Sequence, residues 1–96
     1  MKFYVIGSLK QQDTIKQVAN FLSSCKDATV EYVKPETNKN FQQCVSSCFS
    51  KISWADIICV ITKNDGTIGE GVTYELEYAK RLGKKIFIIN KKENKL

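Results

Sequence analysis

Apolar residues along the chain form four short runs that alternate with stretches of helical spacing. The runs at 2–6, 28–33, 56–61 and 85–89 have the lengths of β-strands, and the last two are apolar at every position after the first. Unbroken β-branched runs of this kind are typical of strands covered on both faces. We therefore expect the third and fourth strands to lie at the centre of the sheet or next to it.

The stretches between the runs predict three helices. Residues 13–26 place apolar side chains on one helix face, and residues 72–82 form a helix that Gly83 ends. Between them, the polar stretch 36–40 leads into another amphipathic helix. The predicted apolar faces consist of Ile15, Val18, Ala19, Leu22 and Cys25 in the first helix and of Phe41, Cys44, Val45, Cys48, Phe49 and Ile52 in the second.

The alternation of strands and helices indicates an α/β fold of the flavodoxin or Rossmann-like type. Right-handed crossovers give a three-layer sandwich, with a four-stranded parallel sheet in the order 2-1-3-4 and helices on both faces. In this architecture a ligand binds beyond the carboxyl ends of the strands, at the switch point between strands 1 and 3. The candidate site segments are therefore 7–12, 62–75 and the residues after Ile89.

The length and the charge distribution of the chain limit its number of domains and the partners that we expect. With 96 residues, we expect a single domain over 1–90 and a lysine-rich tail over 91–96. Residues 84–96 contain five lysines and one glutamate, which gives +4 of the formal net charge of +5. No aromatic residue or arginine lies among these lysines, so we do not expect nucleic acid as a partner. No apolar run suits a membrane helix or a signal peptide, which predicts a cytoplasmic protein without a membrane partner.

The cysteines do not have the spacing of a metal site. Cys44 and Cys48 are one helical turn apart and Cys59 lies in a predicted strand, whereas zinc is usually held by thiolate pairs on loops. We interpret these three and Cys25 as small hydrophobic residues of the core, and we expect neither a metal ion nor a cofactor.

The segment after the first strand turns through Gly7 and Ser8 toward a helix. Backbone amides in this turn, together with the Ser8 hydroxyl and the Lys10 ammonium, are suited to an anion such as a phosphate. The segment lacks the glycine patterns of nucleoside triphosphatases and of dinucleotide-binding folds. The same residues also suit a plain strand-to-helix turn, and both interpretations stay open.

The segment after the third strand carries Gly66, Gly69 and Gly71, and then Tyr74 and Glu75. The glycines let the backbone pass close to a ligand, and the two side chains follow in the first turn of the predicted helix. A glutamate there also suits the helix dipole. We favour a functional glutamate because this turn faces the switch-point crevice rather than solvent.

Several short motifs of the sequence are similar to those of a known protein family. The motifs are Tyr-Val-Ile-Gly-Ser at 4–8, Trp-Ala-Asp-Ile-Ile at 54–58 and Gly-Val-Thr-Tyr-Glu-Leu-Glu-Tyr-Ala at 71–79, followed by Gly-Lys-Lys-Ile at 83–86. From Lys2 to about Asn90 the chain resembles the nucleoside 2-deoxyribosyltransferase family, most closely its 2'-deoxynucleoside 5'-monophosphate N-glycosidase branch. The start of the third helix, Gly-Val-x-Tyr-Glu-Leu, is the most specific part.

The resemblance implies roles for the matching residues. Glu75 would be the nucleophile that attacks C1' of the deoxyribose, expels the base and forms a glycosyl ester, which water or a second base then resolves. Tyr4 would lie near the sugar and the nucleophile. Gly7 and Ser8 would form the floor of the pocket, and Lys10 would lie near a phosphate. The resemblance also implies a homodimer that binds a nucleoside or nucleotide.

The sequence departs from the family at two positions. Cys48 stands where the family has an aspartate, and Gly69 replaces a polar residue that Glu70 or Asp65 is close enough to cover. Two alternatives therefore stay open, namely a nucleotide-binding or sensing module without turnover and a TIR-like NAD glycohydrolase. The catalytic candidates are Glu75 and Tyr4, and the candidate substrate-binding residues are Gly7, Ser8, Lys10, Cys48, Asp65, Gly69, Glu70 and Gly71.

Overall fold

The computed structural model of the chain describes residues 1–34 and 41–92, without the side chains at positions 41, 42, 44 and 45. Three parts of the sequence-based prediction lie outside these described residues. They are the polar stretch 36–40, the last four residues of the predicted tail, and the contributions of Phe41, Cys44 and Val45 to an apolar helix face.

Strands and helices alternate along the described part of the chain in the predicted order. They are β1 (Lys2–Gly7), α1 (Gln12–Ser23), β2 (Thr29–Tyr32), α2 (Phe41–Trp54), β3 (Ile57–Ile61), α3 (Glu70–Arg81) and β4 (Lys85–Ile89). A short 3-10 turn, Leu9–Gln11, joins β1 to α1. The strands form one parallel sheet in the order β2-β1-β3-β4, which confirms the predicted fold and strand order.

The two faces of the sheet bury two separate apolar clusters, because successive side chains of a strand point to opposite faces. One face carries Tyr4 and Ile58 and packs against α2 and α3. The other carries Val5 and Cys59 and packs against α1. Every residue of β3 is buried, as predicted for a strand covered on both faces.

β4 departs from the prediction that both of its faces are covered. It lies at one end of the strand order, and Phe87 and Ile88 are 57% and 54% exposed. α1 packs on β1 and β2, at the other end of the sheet, so it does not shield Phe87. An apolar run of this length therefore also occurs in an edge strand, and the prediction of full coverage is wrong.

α1 ends at Ser23, three residues before the predicted end at 26. The turn that follows contains Asp27 with a φ of 63°, a left-handed conformation that reverses the chain toward β2. Cys25 lies in this turn and is exposed, so its prediction as a core residue is wrong. Cys59, in contrast, is buried in β3 as predicted.

The chain remains attached to the sheet after β4. The backbone N–H of Lys91 donates to Thr62 Oγ1 at 2.8 Å, and its ammonium donates to Thr14 Oγ1 at 2.8 Å. Lys91, the first residue of the predicted tail, is therefore held between the end of β3 and α1. Among the described helices, none is long and apolar enough to span a membrane.

Candidate functional site

A pocket of about 270 Å³ lies at the carboxyl end of the sheet. Its walls come from the end of β1, the residues after β2, the middle of α2 and the first half of α3. Because β1 and β3 are adjacent and Gly7 and Gly71 line this one pocket, the predicted switch-point site is confirmed as a cavity. The lining residues are Tyr4, Gly7, Leu9, Val33, Lys34, Ser47, Cys48, Lys51, Gly71, Val72 and Glu75.

β1 provides the floor of the pocket. Tyr4 is fully buried, on the sheet face that α2 and α3 cover, and the ammonium of Lys51 lies 5.9 Å from the centre of its ring. Gly7 ends the strand opposite Ile61 of β3. A Cβ at Gly7 would lie 3.0 Å from the carbonyl oxygen of Ile61 and 3.2 Å from its Cβ, so only glycine fits without displacement.

α3 begins earlier than the sequence predicts, and this changes the position of Glu75. Gly69 is the N-cap, the helix starts at Glu70, and the Thr73 hydroxyl donates to the Gly69 carbonyl at 2.9 Å. Glu75 is thus in the second helical turn rather than the first. The helix dipole acts mainly within the first turn, where Glu70 now supplies the acidic side chain. Dipole complementation is therefore a poor explanation for Glu75.

The Glu75 carboxyl is half-buried in the wall of the pocket, which Cys48 also lines. Burial raises the pKa of Glu75 above the usual range for glutamate, because desolvation penalises the charged form, and the Cys48 side chain acts in the opposite direction. A carboxylate whose charge is opposed by its surroundings and which lies in a cleft is a candidate for chemistry.

Cys48 shares the pocket wall with Tyr4 and Glu75. Burial is the main cause that raises the pKa of its thiol. The Tyr4 side chain lowers that pKa, the charge of Glu75 raises it, and the charge of Lys51 lowers it. Cys48 is a half-buried side chain of the pocket wall rather than a residue of the apolar core, so that part of the sequence-based prediction is wrong.

α2 and α3 are held together beside the pocket. The rings of Phe49 and Tyr78 stack with their centres 4.3 Å apart and their planes 6° from parallel. Phe49 follows Cys48 in α2, and Tyr78 lies one turn after Glu75 in α3. The stacked rings therefore join the two helices next to the positions that line the pocket.

Five of the predicted site residues do not line the pocket, and their roles at a ligand stay predictions. Ser8 accepts a hydrogen bond from the backbone N–H of Lys10 at 3.3 Å, and the Lys10 side chain is exposed. Asp65 is exposed and accepts from the backbone N–H and the hydroxyl of Thr67 at 3.0 and 2.6 Å, which hold its pKa below the usual range. The other two are Gly69, the N-cap of α3, and the exposed Glu70.

Several residues of the pocket wall are absent from the sequence-based prediction, above all its two lysines. Lys51 and Ser47 lie near Cys48 on the same face of α2. Once Cys48 is a candidate for the site, this helical spacing predicts that Ser47 and Lys51 face the site as well. Lys34 follows β2, the neighbour of β1, and the rule that ligands bind beyond the ends of the strands points to it as well. Among the described residues, no group of three or more His, Cys, Asp and Glu side chains is placed to hold a metal ion.

Comparison with known proteins supports the architecture. No protein-family model matches the chain, and no curated protein matches its sequence. Among solved structures, a 2-desoxiribosyltransferase from Leishmania mexicana matches 92% of the chain with a TM-score of 0.73. The chain has the fold of that 2-desoxiribosyltransferase. The two sequences are 17% identical, and the chain spans 63% of the other protein's length, so the likeness concerns the fold alone.

Proposed function

We propose that the chain binds a nucleoside or its 5'-monophosphate and cleaves or transfers its N-glycosidic bond with Glu75 as the nucleophile. The observation that carries this proposal is that Glu75 lines the switch-point pocket together with Tyr4 and Cys48. The fold shared with a 2-desoxiribosyltransferase supports the same class of reaction.

The reaction uses a carboxylate as retaining glycosidases do. An oxygen of Glu75 attacks C1' of the sugar, so that a C–O bond forms while the C–N bond to the base breaks. The base leaves with the bonding electrons and takes up a proton. Water or a second base then attacks C1' and frees Glu75, so hydrolysis and transfer share their first half.

The nucleophile must be ionised, and the pocket determines the fraction of Glu75 that is ionised at a given pH. Burial raises the pKa of Glu75, which makes the carboxylate less stable and more reactive than one in water. We expect base release to fall as the pH falls through this raised pKa, at a higher pH than an exposed glutamate would give.

Two lysines in the pocket wall favour an anionic substrate. Lys51 is half-buried and Lys34 is exposed at the rim, and both line the same cavity as Glu75. A single carboxylate does not balance two ammonium groups, so a phosphate on the substrate would complete the charge of the pocket. This favours the 5'-monophosphate over the free nucleoside.

A panel of substrates tests the proposal. The purified chain is incubated with deoxynucleosides, ribonucleosides, their 5'-monophosphates and NAD, and free base is measured. We expect base release from at least one deoxynucleoside or its monophosphate. Release from NAD alone would favour the TIR-like alternative.

The same panel decides between an enzyme and a binding module. A bound ligand raises the melting temperature whether or not it is cleaved, because it stabilises the folded state. A nucleotide that raises the melting temperature while no base is released from any compound would replace the enzymatic proposal with the nucleotide-binding module.

A further inference from the structure

β4 is the strand at one end of the sheet, and no described strand pairs with its outer edge. In a strand, the N–H and C=O of one residue point to the same side, and successive residues alternate. The Ile89 carbonyl accepts from the backbone N–H of Thr62 at 3.1 Å, so Ile89 and Phe87 turn their backbone groups toward β3. The backbone groups of Ile86 and Ile88 therefore point outward, away from the sheet.

The side chains along this edge are apolar and open to solvent on both faces of the sheet. Phe87 lies opposite Cys59 and shares the face on which α1 packs, whereas Ile88 lies opposite Val60 on the face of α2 and α3. Both side chains are more than half exposed. An apolar edge with outward backbone groups is a template for the addition of another strand.

Lysines lie at both ends of β4, and the segment 82–92 contains no acidic residue. Lys85 is the first residue of the strand, Lys92 follows its end, and both are exposed. Lys84 and Lys91 donate to uncharged oxygens of the protein. The positive charge along this edge is therefore not balanced by carboxylates of its own segment, and it attracts negative charge from outside.

We propose that β4 is the docking edge for an acidic segment of a partner protein, which adds to the sheet as a further strand. The outward backbone groups of Ile86 and Ile88 pair with the main chain of this segment. Its alternate apolar side chains cover Phe87 and Ile88, and carboxylates at its ends meet Lys85 and Lys92.

The charge of the edge also favours this occupant over a second copy of the chain. Pairing β4 with another β4 in either direction brings the lysines of one copy beside those of the other, and like charges on adjacent strands are destabilising. An acidic segment gains attraction at the same positions. Because lysines lie at both ends, it does so whether it runs parallel or antiparallel to β4.

The test uses the complete chain and a synthetic peptide of about ten residues, in which valine and threonine alternate between pairs of glutamates. A matched peptide carries lysines in place of the glutamates. Each is titrated into nitrogen-15-labelled protein. We expect the glutamate peptide to shift the amide signals of Ile86 and Ile88, to slow their hydrogen exchange, and to bind about tenfold or more tightly than the lysine peptide.

Position 88 offers a matched pair of variants. Ile88→Pro removes an N–H that points away from β3, so the hydrogen bonds between β3 and β4 are kept. Ile88→Ala also shortens the side chain but keeps the N–H. We expect Ile88→Pro to bind the glutamate peptide at least about tenfold more weakly than Ile88→Ala does. Phe21→Ala, at an exposed side chain of α1, is the control and should leave the affinity unchanged.

Three results would each overturn the proposal, namely no tighter binding of the glutamate peptide, amide shifts confined to other elements, and equal affinities in Ile88→Pro and Ile88→Ala. If Ile88→Pro does not fold, Lys85→Glu combined with Lys92→Glu decides in its place. That variant should prefer the lysine peptide, and an unchanged preference for glutamate would overturn the proposal. A chain that sediments as a dimer, but as a monomer in Ile88→Pro, would assign this edge to a second copy instead.

Discussion

Two carboxyl groups near the carboxyl end of the sheet are held in opposite ways. Asp65, in the loop of residues 62–69 that follows β3, is exposed and accepts two hydrogen bonds from Thr67, which lower its pKa. Glu75, in the pocket, is half-buried, and burial raises its pKa. The loop stabilises the ionised form of Asp65, whereas the pocket disfavours the ionised form of Glu75.

The environment of each acid determines which of them is suited to chemistry. Asp65 satisfies its charge within a local turn, and its hydrogen bonds shape that turn. Glu75 keeps a charge that its surroundings only partly stabilise, and it faces a cavity. Both residues are site candidates in the sequence, and the environment separates them.

The largest expected effect is the difference in kcat for base release between a substitution of the pocket acid and one of the loop acid. Glu75→Gln removes the nucleophile, because an amide does not form the glycosyl ester, and should lower kcat by about a thousandfold or more. Asp65→Asn keeps the oxygen that accepts from Thr67 and should stay within about threefold of wild type.

Glu77→Gln, at an exposed position on the same helix, is a second control for Glu75→Gln. Base release is measured after circular dichroism has established that each variant is folded. Activity that survives in Glu75→Gln would contradict the assignment and make Glu70 or Asp65 the next candidate.

A substitution of the pocket glycine should affect both stability and activity, whereas a substitution of the loop glycine should affect stability alone. Gly7→Ala places a Cβ against Ile61, which should cost about 1 to 3 kcal/mol of unfolding free energy and distort the pocket floor. Gly66 in the loop has a φ of +86°, so Gly66→Ala should cost about 1 to 2 kcal/mol from backbone strain while base release per folded molecule is kept. Urea unfolding and kcat are measured for both, and a Gly7→Ala variant with wild-type values in each would contradict the close approach of β1 and β3.

The lysines provide a smaller contrast, confined to substrate binding. Lys51→Ala should raise KM for a deoxynucleoside 5'-monophosphate about tenfold, which corresponds to about 1.4 kcal/mol, and leave KM for the free deoxynucleoside unchanged. Lys63→Ala, in the loop, should change neither value. Equal losses for both substrates in Lys51→Ala would show that this lysine does not contact a phosphate.

The smallest effect concerns the pH dependence of stability. The folded pKa of Glu75 lies above that of an ordinary glutamate, so between the two values its contribution to the unfolding free energy falls as pH rises. The folded pKa of Asp65 lies below the ordinary value, so its contribution rises with pH and is lost as pH falls through that folded value.

Urea unfolding from about pH 3 to pH 7 measures these slopes. Compared with wild type, Glu75→Gln should gain stability as pH rises and Asp65→Asn should lose it. Slopes of the same sign in the two variants would remove the contrast between pocket and loop.

The sequence predicts the frame of the molecule better than its details. The alternating runs give the strand order, and the strand order gives the position of the pocket, with Gly7, Gly71 and Glu75 in its wall. The start of α3 is harder to predict, because glycines at 69 and 71 are typical of a loop, whereas here Gly69 is the N-cap and Gly71 lies in the first helical turn. This is why the sequence places Glu75 one turn too early.

Other errors arise where burial depends on which elements lie beside a residue. The apolar runs of β3 and β4 look alike in sequence, but only β3 has a strand on each side. Lys34 and Lys51 look like ordinary surface residues until the ends of β2 and α2 are placed around one cavity. Position in the three-dimensional arrangement, rather than residue type, decides these cases.

The pocket also has a consequence for how ligand binding and folding are coupled. Tyr4, Cys48 and Glu75, which line it, are separated by 44 and 27 residues of sequence, so the pocket cannot form within any local segment. It requires β1, α2 and α3 to be docked together. A ligand that binds this pocket therefore stabilises the packing of all three elements at once.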